Sequence, residues 1–251
     1  MIEGLAGLGR FALFGAGVAW RIVTPWWEVG ETSRHVWQLV ARCFLPVVAV
    51  VFPFGMVMAL QGLGIFAVFG AQRMLSSLVS VAVFRELSPV LACTLVAAQG
   101  GSAFAAELGA MRIQEELDAT EIMAIDSLRA HVVPRVVAAL LASPVLVLVG
   151  SISGIAGGFV TAVYVQGEPE GVYWANLWAL TSPVDVAGGL VKAFVFGGII
   201  GLVACYQGYF ATGGAAGVGR AVNNAVVIAV TVFVVVNYFL TTALFGAIGV
   251  G

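Results

Sequence analysis

Acidic side chains are concentrated in one stretch of a largely apolar sequence, residues 105–126, which read "AAELGAMRIQEELDATEIMAID". The stretch holds six of the 13 acidic residues: Glu107, Glu115, Glu116, Asp118, Glu121 and Asp126. Glu115, Asp118 and Glu121 are spaced three residues apart and would lie along one side of a helix. A helix that is acidic on one side and apolar on another is suited to docking in a groove of a partner protein. The alternative is a solvated connector, and the spacing leaves both interpretations open.

Apolar residues of the same stretch would form the other side of this helix. They are Leu108, Met111, Ile113, Leu117, Ile122, Met123 and Ile125. Glycine and proline are the residues least favourable in a helix interior. We therefore expect the helix to be bounded by Gly109 and Pro134.

Three further charges, Arg85, Glu86 and Lys192, lie inside apolar runs. A charge buried in lipid is costly and needs a partner. Arg85 and Glu86 are adjacent, so on a helix they point about 100° apart. They either pair with other helices or mark the outer membrane boundary. Lys192 lies near the start of its run and is expected to extend its ammonium group toward the interface.

The sequence lacks the motifs of common catalytic sites. No G-x-x-x-x-G-K-[ST] loop occurs, so the chain is not expected to bind and hydrolyse ATP by itself. The motifs H-E-x-x-H and G-x-S-x-G are absent as well. His35 and His131 lie far apart, and Cys43, Cys93 and Cys205 lie in or beside apolar runs, which favours buried thiols over a metal site. We expect no enzyme activity and no metal or cofactor bound by this chain.

Composition indicates an integral membrane protein. Only 10% of the 251 residues are charged, whereas 61% are apolar, and the mean hydropathy is +1.06. A soluble domain carries about a quarter charged residues. The net charge of -2 and the lack of a basic run argue against nucleic-acid binding.

Five runs are long and apolar enough to cross a bilayer as helices, which takes about 20 residues each. They are residues 44–70, 78–106, 136–165, 186–210 and 221–248. Lys and Arg favour a cytoplasmic N-terminus and an external C-terminus. With that orientation the segments on the outside contain only Arg73, and those on the inside contain Arg10, Arg21, Arg34, Arg42, Arg112, Arg129, Arg135 and Arg220.

The segment before the first run, residues 2–27, is moderately apolar and is interrupted by Arg10 and Arg21. Trp20, Trp26 and Trp27 lie at its end. Tryptophan is enriched at membrane interfaces, and an amphipathic helix can lie in the interface plane. We therefore favour an interfacial helix over a sixth span.

Residues 85–126 begin with "RELSPVLACTLVAAQGGSAF" and continue into the acidic stretch, and this block resembles the signature of the MlaE permease family, also called YrbE. "VVPRVVA" (132–138) continues the pattern. "GLVKAFVFGGIIGLVACYQGY" together with "GGAAGVGRAV" (189–222) is similar to the family's second block. The resemblance extends from about Val50 to the C-terminus.

The resemblance implies an all-α permease subunit of an ABC transporter for lipids such as phospholipid, fatty acid or sterol. It implies an interfacial helix region in residues 1–43 and a five-span permease domain in residues 44–251. The expected partners are a second permease copy or paralogue, two cytoplasmic ATPase subunits that bind ATP and Mg, and a periplasmic MCE-domain protein. The expected location is the bacterial inner membrane.

In the family, the loop between the second and third spans carries a coupling helix that enters the ATPase, which places it here at about residues 107–126. The matching positions are Glu107, Met111, Arg112, Glu115, Glu116, Asp118 and Glu121. Six further positions are expected at a lipid pocket or dimer interface: Leu60, Gln61, Phe66, Gln99, Phe104 and Tyr238. Gln99 stands where many members have arginine, and glutamine offers hydrogen bonds without a charge.

Other classes of function remain as alternatives. A secondary transporter or channel for an apolar substrate would need titratable groups near mid-membrane and no ATPase partner. A structural scaffold or an intramembrane enzyme is the third class, and no group of residues in the sequence calls for an enzyme. The few charges in the apolar runs favour the ABC permease.

Overall fold

The computed structural model describes residues 2–24, 29–68, 70–71 and 74–246, and within them every regular element is a helix. The chain forms, in order, α1 Ile2–Val23, α2 Val29–Val68, α3 Leu75–Ile113, α4 Glu116–Ile122, α5 Leu128–Val165, α6 Glu170–Leu177, α7 Pro183–Tyr209 and α8 Gly214–Phe245. The predicted all-α class is confirmed.

Among the described residues, five helices are long and apolar enough to span a membrane: α2, α3, α5, α7 and α8. They correspond to the five predicted runs, whereas α1 does not meet the same criterion. The helices extend past the apolar runs. Helix α2 already begins at Val29, so the expected boundary between residues 43 and 44 falls inside it. Polar residues such as Glu31 and Arg42 end an apolar run but do not end a helix.

Helices α3 and α5 contain π-helical turns. In α3 these are Val83–Leu87 and Ala97–Gly101, and α5 begins with Leu128–Val132 and ends with Val160–Val165. Such turns are rare, occur mostly inside α-helices and are frequent at functional sites. The turn Val83–Leu87 contains Arg85 and Glu86, two of the charges singled out above.

The chain divides into two compact units. Unit 1 comprises residues 1–40, 96–142 and 196–233, and unit 2 comprises residues 41–95, 143–195 and 234–251. Each long helix contributes a segment to both units. Unit 1 also contains α1 and α4, whereas unit 2 contains α6.

The core of unit 1 joins α1 to three long helices. Phe14 and Val18 of α1 pack in one buried cluster with Leu108 of α3, Val132 of α5 and Cys205 of α7. Phe14 also makes an edge-on contact with the ring of Tyr206, with ring centroids 5.4 Å apart. The buried face of α1 therefore packs within the protein, while Leu13 and Trp20 on other faces are more than 70% exposed.

The core of unit 2 depends on close backbone approach between α2 and α5. A methyl group at Gly55 would overlap the carbonyl oxygen of Gly154, and one at Gly157 would overlap the carbonyl of Phe52. Small residues at such positions let membrane helices approach closely. Tyr173 of α6 is buried in this core, and its hydroxyl donates a hydrogen bond to the Ile155 carbonyl at 3.1 Å.

Candidate functional site

The acidic stretch is not the single helix that its spacing predicts. Helix α3 continues to Ile113, and the chain then turns at Glu115, whose φ is 61°, before α4 begins. A second left-handed residue, Ala124 with φ 60°, follows α4. Non-glycine residues rarely adopt this conformation, so each is a defined joint in the chain. We call these two residues the α4 joints.

The predicted helix bounds are wrong for a physical reason. Gly109 lies buried inside α3, where an added methyl group would come within 3.1 Å of the Val218 side chain. The glycine therefore permits close packing and does not end the helix. Pro134 lies in the first turns of α5, beyond Leu128, at which that helix starts.

The acidic row is broken by the first joint. Glu115 is the left-handed residue itself, so it does not continue the side of α4 that carries Asp118. Asp118 pairs with Arg112, which lies on α3 across the joint. The spacing rule failed because it applies only within one continuous helix.

Glu121 connects α4 to the end of α7 and to the residue that precedes α5. Its Oε1 accepts hydrogen bonds from the hydroxyls of Ser127, at 2.8 Å, and Tyr209, at 2.9 Å. These two hydroxyls are also 2.8 Å apart. Hydrogen bonds from Ser127 and then Tyr209 lower the pKa of the Glu121 carboxyl, because they stabilise its charged form. Tyr209 lies 88 residues away in sequence, and no sequence spacing predicts this contact.

Asp126 lies just after the second joint and uses both carboxylate oxygens. Oδ2 accepts from Arg21 Nε at 2.6 Å, while Oδ1 accepts the backbone N–H groups of Leu128 and Arg129, at 3.2 and 3.3 Å. The second set caps the start of α5. Burial raises the pKa of Asp126, but the hydrogen bonds from Arg21 and Arg129 outweigh it, and the pKa falls below its usual value.

Two of the predicted coupling residues, Glu107 and Met111, face supporting structure. Glu107 accepts two hydrogen bonds from the guanidinium group of buried Arg135, at 3.2 and 3.3 Å. Met111 is half-buried against the core of unit 1. These contacts hold the end of α3 in place. The Glu107 side chain is still 45% exposed, and a larger exposed surface lies further along the chain.

That exposed surface combines acidic and apolar side chains, and we call it the α4 surface. Its members are Glu115, Glu116, Asp118, Ile122, Met123 and Ile125. Ile122 is 86% exposed and Met123 is 65% exposed. Exposed apolar residues beside charges mark surfaces that bind another protein. The role of this surface in docking a partner stays a prediction.

The charges within the spans form a second polar site, in unit 2. The Lys192 ammonium group donates to Glu86 Oε1 at 2.7 Å, to Thr241 Oγ1 at 2.7 Å and to the Arg85 carbonyl at 2.8 Å. An ammonium group has three donors, so all three are used. Asn237 Nδ2 donates to Glu86 Oε2 at 2.9 Å. We call Glu86, Lys192, Asn237 and Thr241 the unit 2 cluster.

Lys192 was expected to extend to the interface, and that prediction is wrong. Its side chain is fully buried, because Glu86, one oxygen of Thr241 and one carbonyl satisfy it inside the protein. Arg85 pairs with buried Asp185 at 2.7 Å and lies over the ring of Phe245. Asn237 and Thr241 were missed, although their spacing of four residues on α8 was a visible signal.

The six expected pocket residues are divided between the two units. Gln99 and Phe104 belong to unit 1, where Gln99 is exposed and Phe104 is buried against the ring of His35. Leu60, Gln61 and Tyr238 are exposed in unit 2, and Phe66 packs at the edge of its core. Their role in a pocket or interface stays a prediction.

Each unit has an almost entirely apolar cavity, and none of the six residues lines either one. In unit 1 a cavity of about 430 Å³ lies between α1, α7 and α8, beside Phe11, Tyr206 and Val232. In unit 2 a cavity of about 410 Å³ lies between α2 and α5, beside Phe44 and Ile152. Among the residues described in the structure, no three His, Cys, Asp or Glu side chains gather as metal ligands would.

Comparisons with known proteins agree with the resemblance seen in the sequence. The family model for the permease MlaE matches residues 32–243. A probable ABC transporter permease protein of Rickettsia bellii is 38% identical over 241 residues, which is 95% of this chain and 92% of that protein. The intermembrane phospholipid transport system permease protein MlaE of Haemophilus influenzae is 32% identical over 250 residues, 98% of this chain and 95% of that protein.

A plant protein also matches. The chloroplastic protein trigalactosyldiacylglycerol 1 of Arabidopsis thaliana is 33% identical over 195 residues, which is 78% of this chain and 56% of that protein. With five helices apolar enough to span a bilayer, the chain is a multi-pass membrane protein. The family match covers most of its length, and the chain belongs to the MlaE permease family.

Proposed function

We propose that this chain is the permease subunit of an ATP-driven ABC transporter that moves phospholipid, or a related lipid, between the bacterial inner membrane and a periplasmic MCE-domain carrier. The match to the MlaE family model over residues 32–243 is the observation that carries the proposal. The relative from Haemophilus influenzae, named for intermembrane phospholipid transport, supports the choice of lipid. ATP and Mg would be bound by a separate ATPase chain.

The α4 surface is the proposed site of ATPase docking. Its acidic residues would meet a basic groove, and its exposed Ile122 and Met123 would lose water on docking. The distribution of Lys and Arg supports a cytoplasmic α4 surface and N-terminus, with α1 in the interface. Docking free energy that differs between two ATPase states would then bias the spans between two arrangements.

The proposed transporter contains two permease copies or paralogues, and α8 supports this. Only 17% of the most apolar 18-residue stretch of α8 is buried within the chain. Val227, Val234 and Phe239 are among its exposed apolar residues. A partner helix or lipid must cover this face, and a second permease copy is the cover that we propose.

Co-purification tests the proposal. From detergent-solubilised native membranes, the tagged chain should retain an ATPase subunit in a fixed ratio. Glu116→Lys and Asp118→Lys reverse the charge that would meet a basic groove and should weaken this retention about tenfold. A tenfold change corresponds to about 1.4 kcal/mol of docking free energy. Lipid transfer by the reconstituted complex should fall in parallel.

Glu170→Lys is the matched control, because Glu170 is an exposed acid on α6 in unit 2. It should leave ATPase retention at the wild-type level. The proposal is wrong if the wild-type chain retains no ATPase, or if both α4 reversals retain it fully.

A secondary transporter is the alternative that one observation favours, namely the titratable Glu86 and Lys192 within the spans. Such a protein would move substrate without ATPase, driven by an ion gradient. Proteoliposomes separate the two: lipid transfer that needs ATP and ignores an imposed pH gradient supports the ABC permease. Transfer driven by the gradient alone would support the alternative.

A further inference from the structure

Two polar contacts join the end of α1 to the chain that follows α4, and we call this pair the α1 clasp. Arg21 Nε donates to Asp126 Oδ2 at 2.6 Å, and Arg129 Nη2 donates to Thr24 Oγ1 at 2.9 Å. Thr24 is itself held by a hydrogen bond to the Arg21 carbonyl. The two sides of the clasp are 105 residues apart in sequence.

The position of the clasp relative to the α4 joints gives it a mechanical consequence. Helix α4 lies between the left-handed residues Glu115 and Ala124, and its Leu117 is fully buried. Asp126 follows the second joint by two residues. A contact there acts beside the Glu121–Ser127 hydrogen bond, which also crosses this joint, in passing a displacement of α4 to α5.

Asp126 is built to transmit such a displacement. One carboxylate oxygen caps the first turn of α5 while the other binds Arg21, so α1 and α5 are joined through a single side chain. Apolar contacts reinforce the link, because Val18 of α1 packs in the same buried cluster as Val132 of α5. The guanidinium Nε of Arg129 is buried as well, and none of the described residues accepts a hydrogen bond from it.

We propose that Arg21 and Asp126 are positioning residues that fix the second α4 joint to α1, so that displacement of the α4 surface moves α5 and is not lost at the joint. This inference rests on the proposed docking of an ATPase at the α4 surface and states how a displacement of that surface is transmitted. Helix α1 is thereby part of the coupling machinery and more than an anchor.

The test measures coupling separately from docking. Arg21→Met and Asp126→Asn are made in the full complex; the asparagine keeps an oxygen that can cap α5 but removes the charge. Three quantities are measured in proteoliposomes: ATPase retained, ATP hydrolysed and lipid transferred per ATP. We expect retention and hydrolysis at the wild-type level, and lipid transferred per ATP about fivefold lower, at the low end of typical coupling effects.

Two controls separate positioning from folding. Arg10→Met removes an exposed arginine from the same helix and should leave transfer per ATP unchanged. Arg21→Lys keeps a positive charge but not the guanidinium geometry, and should recover part of the loss. A purely structural defect would lower the thermal stability of both clasp variants and reduce ATPase retention as well.

Wild-type transfer per ATP in Arg21→Met and Asp126→Asn overturns the clasp and leaves the proposed function standing. Loss of ATPase retention in these variants, to the extent seen in Glu116→Lys, also overturns it, because the clasp would then only shape the docking surface. A wild-type complex that contains no ATPase overturns the proposed function and the role of the clasp together.

Discussion

The two polar sites of this protein differ in how far they are exposed and in how costly their contacts are to break. Three side-chain contacts hold the α4 surface in unit 1: Arg21–Asp126, Arg112–Asp118 and Tyr209–Glu121. They are exposed or half-exposed, and each bridges a chain joint or a helix end. The unit 2 cluster lies in apolar spans, with Lys192 fully buried and three of its donors used. Exposed ion pairs are worth little and can be exchanged for water, whereas a buried pair is costly to break. Unit 1 is therefore suited to changing its contacts, and unit 2 to keeping them.

The largest expected effect comes from breaking the unit 2 cluster on one side. Lys192→Met leaves Glu86 without its cation and should lower the free energy of unfolding by about 3 kcal/mol, the low end for a broken buried pair, because the Glu86 side chain is 40% exposed. Thermal unfolding in detergent measures this change. The double variant Glu86→Gln with Lys192→Met should recover part of the loss, since no unpaired charge remains. An unchanged melting temperature in Lys192→Met would remove the contrast between the two sites.

A smaller effect is expected from the helix contact that fixes unit 2. Gly55→Ala places a methyl group on the Gly154 carbonyl and should destabilise by about 2 kcal/mol through overpacking. Gly64→Ala, in the same helix, meets nothing within 4 Å and should be neutral or slightly stabilising, because alanine favours helix. Melting temperatures of the pair report the difference. Equal behaviour of the two variants would mean that α2 and α5 are not held at this distance.

The smallest effect should come from unit 1. Tyr209→Phe removes one of the hydroxyls that bind Glu121 and should lower lipid transferred per ATP about twofold, as suits the loss of an exposed hydrogen bond. The pKa of Glu121 is lowered by Ser127 and Tyr209, so the tie stabilises the fold above the ordinary carboxyl pKa and is lost as the pH falls through the lowered value. Stability measured from pH 7 to pH 3 should show a shallower acid loss in Tyr209→Phe. Tyr206→Phe serves as the neighbouring control, and an equal effect of both variants would contradict the prediction.

The span pattern was predictable and the contacts were not, for physical reasons. Five apolar runs suffice to predict five helices because the cost of exposing backbone in lipid leaves few other structures. The start of α2 at Val29 was not predictable from hydropathy, which detects the apolar part of a helix and not its polar end. The burial of Lys192 depends on Glu86, which lies 106 residues away in sequence. The joint at Glu115 contains no glycine that would have indicated a left-handed residue. The row of acids at 115, 118 and 121 therefore looked like one side of a continuous helix.

The π-helical turn Ala97–Gly101 has a consequence for comparing relatives of different length. A π turn accommodates one extra residue by widening the helix locally, so the α-helix that follows keeps its phase relative to the α-helix before it. In the present phase, residues 102–113 direct Leu108 into the core of unit 1 and Glu107 toward Arg135. A relative that lacks one residue in this turn could continue as an ordinary α-helix and direct the corresponding side chains the same way, whereas an α-helix that kept all five residues would be rotated by about 100°. When residues are transferred between members of the family, a single-residue gap in this segment is therefore best placed inside the turn, so that residues 102–113 stay aligned.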